Sequence, residues 1–330
     1  MLTINLAQDK SDVNNYLSST LLKSIDMALE KWQKTILYLN KRGEYSCFIC
    51  KDCQKLYKCM NCDNSLSVHK YPAKLACHLC GHMEQIPFKC NKCNSHNLEK
   101  LWIWTQQIED SLKIYFKEKI NIFRFDSDNL RTKSSKNEAL SNLKSADIII
   151  GTKMVTTGFN FDNVWLIWII LLEQELQIPK YNTEENVYLN IKQLLGRGNR
   201  VWQKTDIIIQ TFIPDNSIIK NIVSGNYKEF FISSLEERKI FNYPPYTQMV
   251  TLEYRSMTEV KSKDFITKLY NKLVLLDENR NFDITLVNNP MKKYNKYFFK
   301  IIIKWKDIRA FLEWIKFEIM RNKGLSVIFE

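Results

Sequence analysis

The 330-residue sequence predicts an α/β protein built on a parallel, doubly wound sheet, with a metal-binding insertion and a small α+β domain after it. Three observations predict this. Short apolar runs alternate with amphipathic stretches over residues 15–213, which argues for strands joined by crossover helices. Four C-x₂-C pairs crowd between residues 50 and 93. The rhythm then changes after NYPPY, 242–246, whose paired prolines break the chain.

Taken in order, residues 15–32 carry apolar residues at helical spacing, and KTILYLN, 34–40, reads as a buried strand. The cysteine-rich segment follows. LEKLWIW (98–104) reads as a strand, QQIEDSLKIYFKE (106–118) as a helix and INIFRFD (120–126) as a strand. A short helix over 136–145 precedes the strand ADIIIGT (146–152). VWLIWIILL (164–172), a helix over 184–195 and DIIIQTF (206–212) complete the alternation. Beyond it, MVTLEYRS (249–256), a helix over 258–275, ITLVNN (284–289), YFFKIIIKWK (297–306) and a helix over 307–321 form the α+β domain. Lys300, Ile302, Lys304 and Lys306 alternate with Ile301, Ile303 and Trp305, so one strand face is basic. That face reads either as solvated or as a nucleic-acid contact.

Composition excludes several functions. The longest apolar run, Val164 to Leu172, is about half the length of a membrane-spanning helix. The N-terminus, MLTINLAQDK, has no basic region leading into an apolar stretch, so a cytoplasmic protein with no membrane partner is expected. The 8 glycines (Gly43, Gly81, Gly151, Gly158, Gly196, Gly198, Gly225 and Gly324) form neither a P-loop nor a GxGxxG fingerprint. The net charge of +12 points to a polyanionic partner such as nucleic acid. Eight thiolates and two divalent ions would lower it to about +8, still basic.

The cysteine pairs are Cys50/Cys53, Cys59/Cys62, Cys77/Cys80 and Cys90/Cys93. Each C-x₂-C turn places two sulfurs on one side of a tight loop, and two turns complete a tetrahedron around Zn²⁺. Four turns make two closed structural sites. A disulfide framework fits less well without a secretory context, and a redox pair comes singly. Spacing alone allows sequential, nested or crossed pairing of the turns. Cys47 is left over as a spare or buried thiol, and His69, His78, His82 and His96 are read as surface residues or neighbours of the sites rather than ligands, because the thiolates already fill both tetrahedra.

Several motifs then converge. LYLNKRG (37–43) leading into the four knuckles, RFDSD (124–128), GTKMVTTGFNFDNV (151–164), QLLGRGNR (193–200) and ERKIFNYPPY (237–246) resemble, in order and spacing, the bacterial PriA-type replication-restart DNA helicases, the primosomal protein N′ family of superfamily 2. The resemblance covers nearly the whole chain. It implies a RecA-like second helicase lobe beginning in residues 1–48, a zinc-binding insertion over 49–96, the remainder of the lobe over 97–213, and a C-terminal α+β domain over 214–330 that joins DNA and partner recognition. It also implies that Cys50, Cys53, Cys90 and Cys93 hold one zinc and Cys59, Cys62, Cys77 and Cys80 the other.

The same resemblance implies ATP-dependent 3′–5′ unwinding in replication restart and primosome assembly. Forked or single-stranded DNA, primosome proteins and single-stranded DNA-binding protein are the implied partners. ATP and Mg²⁺ would sit between two lobes, with the P-loop and acidic motif on a first lobe that these residues do not contain. Gln193, Arg197 and Arg200 match the family's last helicase motif, whose arginines reach the ATP phosphates, and Gly158 lies in a nucleotide-cleft motif. ATP therefore binds only if that lobe is supplied separately.

Departures bear on the motor. Thr157 stands where the family has lysine, Leu171 and Glu173 where it has paired aspartates, Trp104-Thr105-Gln106 where Gly-Thr-Glu is usual, and Gly198-Asn199 where Ala-Gly is usual. The eight zinc-site cysteines are all present. The expectation is a zinc-containing DNA-binding portion without motor activity of its own; a stand-alone, non-catalytic DNA- or protein-binding module is the alternative, and an unrelated zinc-ribbon protein of RNA metabolism a distant third.

Overall fold

A computed structural model describes the chain apart from residues 10, 15, 40–46, 54, 62–64, 71–72, 102, 118, 126–140, 157–160, 162, 179, 199–204, 278–280, 294 and 308. The chain falls into two units, one of residues 1–57, 87–178 and 182–227, the other of 58–86, 179–181 and 228–330.

The first unit is organised by a six-stranded parallel sheet. Its strands are β1 (Leu2–Asn5), β2 (Lys34–Tyr38), β8 (Ile122–Phe125), β9 (Ile148–Gly151), β10 (Val164–Ile170) and β11 (Asp206–Thr211), in the order β1-β11-β10-β2-β9-β8. VWLIWII becomes an inner strand because nearly every side chain is apolar and both faces are covered. Helix α1 (Ser19–Glu30) starts where the Ser18 hydroxyl accepts the Leu21 N–H at 3.1 Å, and it buries Leu21, Leu22, Ile25 and Ala28. Leu21, Leu22 and Ile25 join Leu37, Ile150, Trp168 and, from α2 (Thr105–Tyr115), Ile108 and Leu112 in one core. Helix α3 (Glu173–Leu176) follows β10, and α4 (Thr183–Gly198) follows it. The unit continues through α5 (Ser217–Ser224), which Gly225 ends in a left-handed conformation.

Two features differ from the sequence reading. Residues 2–5 form an edge strand against β11, in a stretch too short for periodicity to register. LEKLWIW does not enter the parallel sheet. Its first four residues, β7 (Leu98–Leu101), pair antiparallel with β3 (Cys47–Cys50) in a separate two-stranded ribbon. Of the helix expected over 136–145, residues 141–145 are helical and the rest lies outside the described residues.

The second unit contains a four-stranded antiparallel sheet, ordered β13 (Asp283–Lys293), β14 (Lys296–Trp305), β12 (Gln248–Ser256), β15 (Leu325–Phe329). Helix α6 (Tyr227–Ile240) leads into it, and α7 (Glu259–Leu276) and α8 (Arg309–Arg321) supply Ile266, Leu269, Phe311 and Ile315 to a core with Val250, Leu252, Ile301 and Ile303. Strands β4 (Ser67–Lys70), β5 (Ala73–Ala76) and β6 (Met83–Gln85) make a three-stranded sheet in the same unit.

The opposite face of the four-stranded sheet is the one the sequence shows as basic, and it is largely a packing face. Val287, Thr251 and Ile302 are buried there. Lys300, flanked by Glu253 and Val287 on the neighbouring strands, is half-buried, and burial pulls its ammonium below the ordinary lysine range despite the nearby Glu330 and Glu253 carboxylates. Lys304 donates to Asp283 Oδ2 at 2.7 Å and to the Phe241 carbonyl at 3.0 Å, with its ammonium over the Tyr243 ring. Lys306 alone of the three is exposed. Strand alternation reveals which residues share a face but not what lies over it.

Candidate metal centre

Two cysteine clusters form, one in each unit. In the first, β3 ends at Cys50 and opens directly into the 50–53 turn, while the 90–93 turn lies just before β7, so the ribbon's register (Cys50 opposite Leu98) brings the two turns together. The Cys50 N–H donates to the Lys55 carbonyl at 3.0 Å, and the Cys90 N–H to the Ser95 carbonyl at 2.7 Å. Each turn is thereby closed by backbone. Asp52 ties the turns laterally, accepting from Asn97 Nδ2 at 2.8 Å and from the Ser95 hydroxyl.

The sulfurs of Cys50, Cys53, Cys90 and Cys93 lie within 4.8 Å of one another. Cys50 Sγ is 3.6 Å from Cys93 Sγ, and Cys53 Sγ is 3.5 Å from Cys90 Sγ. A tetrahedron with Zn–S bonds near 2.3 Å has edges of about 3.8 Å, so the sulfurs stand at the separation a zinc site demands. The same distances are too long for disulfides, whose S–S bonds are about 2.0 Å.

Protonation in this cluster is uneven. Burial opposes charge at Cys90, but N–H groups of Cys93 and Lys92 and the adjacent thiols outweigh it and pull its pKa down to about 6. Burial pushes Cys53 up to about 12. Four sulfurs this close cannot all become thiolates by themselves, whereas a divalent cation stabilises all four.

In the second unit, Cys59, Cys77 and Cys80 form the other group, with Cys59 Sγ 3.5 Å from Cys80 Sγ. The Cys77 N–H donates to the His82 carbonyl at 2.8 Å and the Gly81 N–H to the Cys77 carbonyl at 3.0 Å, which shapes the 77–80 turn. The Asn61 N–H points at Cys59 Sγ at 3.4 Å. Cys62 lies outside the described residues. Each cluster could hold a metal ion, and among the described residues neither group includes a histidine. His82 instead faces Glu84 at 3.5 Å, and His96 faces the Phe88 carbonyl. Cys47 contributes backbone pairing to β3.

The segment between β2 and α2 is divided, with its ends in the first unit and residues 58–86 in the second. There the 77–80 turn rests on the four-stranded sheet. Gly81, at φ +82°, lies so close to β13 that a Cβ would stand 3.2 Å from the Leu286 carbonyl oxygen and 3.2 Å from Val287 Cα.

The nucleotide-cleft residues are less assembled. Gln193 is exposed on α4, and Arg197 stands in the last turn of that helix with its side chain outside the described atoms. Gly158, Thr157 and Arg200 also lie outside the described residues. Where the resemblance sets paired aspartates, Leu171 is buried at φ 51°, and Glu173 is fully buried and accepts the Phe212 N–H. Burial pushes the Glu173 carboxyl up to about 7, against the hydrogen bonds it accepts. Nearby, Glu175 accepts from the Tyr38 hydroxyl at 3.1 Å and from Asn190. These polar contacts inside the first unit had no signal in the sequence.

Known proteins match this sequence. Residues 59–84 match the family described as PriA DNA helicase Cys-rich region (CRR) domain, a span that includes Cys59, Cys62, Cys77 and Cys80. The replication restart protein PriA of Chlamydia trachomatis is 29% identical over 317 residues, 93% of this chain and 41% of that protein. The PriA protein of Bacillus subtilis is 27% identical over 93% of this chain and 39% of its own length. That of Borreliella burgdorferi is 30% identical over 82% of this chain and 40% of its own. The chain thus spans about two fifths of the length of these relatives.

Proposed function

The chain is of PriA type, and from that premise we propose that it is the DNA-binding, zinc-containing portion of a 3′–5′ helicase system acting in cytoplasmic replication restart and primosome assembly. The parallel sheet with α4 is its RecA-like second lobe, and the two cysteine clusters are structural Zn²⁺ sites held by Cys50, Cys53, Cys90, Cys93 and by Cys59, Cys62, Cys77, Cys80. Their chemistry supports zinc: soft thiolates at both clusters and, at the first, four sulfurs at tetrahedral spacing with no position left for a reacting water. The observation that carries the proposal is that the second cluster's cysteines fall within the stretch matching the PriA Cys-rich region.

In this reading the zinc ions stabilise turns that have little apolar surface of their own, and the net charge of +12 binds forked or single-stranded DNA. Arg197 and Arg200 would stabilise charge on a transferring phosphoryl group, with Gln193 and Gly158 lining the cleft. ATP and Mg²⁺ would need a P-loop supplied on another lobe. Primosome proteins and single-stranded DNA-binding protein are the proposed protein partners.

The alternative is a stand-alone, non-catalytic module. Glu173 favours it, because a carboxyl bonded to the Phe212 backbone inside the unit is not free to serve a cleft. Fluorescence anisotropy with a labelled fork tests the binding, which is expected to weaken steeply as salt rises; affinity that stays flat between low and physiological salt contradicts it. An ATPase assay separates the two readings. The 330 residues alone are expected to show no DNA-stimulated hydrolysis. Addition of a separately made first lobe restores it under the helicase reading, with Arg200→Ala abolishing the gain, and leaves it absent under the module reading.

A further inference from the structure

Phe88 is an aromatic side chain held out in solvent, 86% exposed, two residues before Cys90. Leaving such a ring in water forgoes about 2 kcal/mol or more of burial. The ring nevertheless has a side chain packed against it. His96 packs against it edge-on, with ring centroids 4.8 Å apart and planes at 70°, and the His96 Nδ1–H donates to the Phe88 carbonyl at 3.2 Å. The supporting loop is bonded throughout: Asn94 N–H to the Cys90 carbonyl at 2.9 Å, Asn97 N–H to Ser95 Oγ at 2.9 Å, and Asn97 and Ser95 to Asp52. Lys89 and Lys92 are exposed in the same loop, and residues 87–97 contain no acidic side chain.

We propose that Phe88, braced by His96, is a stacking platform for an unpaired base of single-stranded DNA. The proposal rests on the DNA-binding reading above and names a contact within it. A rigid ring next to a metal-closed turn loses little entropy on binding, and every base offers a π-face, so recognition is independent of sequence. A tetrathiolate zinc site carries a net charge of −2, which Lys89 and Lys92 partly offset. The ring, more than the local charge, therefore supplies the contact.

The experiment is anisotropy with a labelled oligothymidine and the zinc-loaded 330-residue chain, read across a salt series. Phe88→Ala and Phe88→Leu are each expected to weaken binding about 5- to 100-fold, the range for one stacked base, with the salt slope and zinc content unchanged. Phe88→Trp is expected to keep wild-type affinity or exceed it. Leucine keeps apolar bulk without a π-face, so its retention of full binding overturns the proposal even where the alanine variant folds poorly. Equal binding by wild type and Phe88→Ala overturns the stacking contact and leaves the DNA-binding reading standing. No oligonucleotide binding by the wild type overturns both.

Discussion

Gly81 rests against Val287: the residue after Cys80 meets β13 so closely that a Cβ would stand 3.2 Å from Val287 Cα. The second cysteine cluster is thereby seated on the C-terminal sheet, and metal occupancy at that cluster is tied to the stability of the unit containing both.

Gly81→Val should therefore act on one site only. Its φ of +82° costs a β-branched residue about 1–2 kcal/mol, and the contact with backbone atoms adds to that. Chelator competition should release one zinc per chain faster than in wild type, while the zinc held by Cys50, Cys53, Cys90 and Cys93 is released at the wild-type rate. Equal acceleration at both sites would contradict the coupling.

Glu173 makes a pH-dependent contribution. Its folded pKa of about 7 lies above the unfolded carboxyl value, so the folded chain holds this proton more tightly. Stability from this group is full below about pH 4, declines as pH rises towards 7, and above that leaves a constant penalty on the order of 3 kcal/mol. Glu173→Gln should be more stable than wild type at pH 8, and the advantage should shrink at pH 5.5. Urea melts at the two pH values check this; an advantage of the same size at both contradicts it.

Lys304 is spent inside its unit, on Asp283, the Phe241 carbonyl and the Tyr243 ring. Lys304→Gln should cost about 1–2 kcal/mol of stability and leave DNA affinity within a factor of about 2. Lys306→Gln, at an exposed position, should leave stability unchanged. A large loss of DNA affinity in Lys304→Gln without a fall in Tm would restore this strand face as a nucleic-acid contact.

What the sequence makes legible follows from what each signal measures. Buried parallel strands such as VWLIWII and DIIIQT need continuous apolar residues, and cysteine turns need a fixed spacing, so both are visible in one chain. The edge strand Leu2–Asn5 is too short and too mixed to register. LEKL reads as a strand whichever partner it has, and only its pairing with β3 places it at the first cluster. The burial of Glu173, the covering of Lys300 and the division of the cysteine segment between two units are all set by contacts between distant residues. Local pattern carries no record of them.

The most direct test of the account is the zinc content of the chain purified in reductant, measured by elemental analysis on wild type, Cys90→Ser and Cys77→Ser. Two Zn²⁺ per chain in wild type and one in each variant are expected, because the variants disable different clusters. One ion or none in the wild type, or a loss of both ions from Cys90→Ser with Cys77→Ser unaffected, would contradict two separate closed sites.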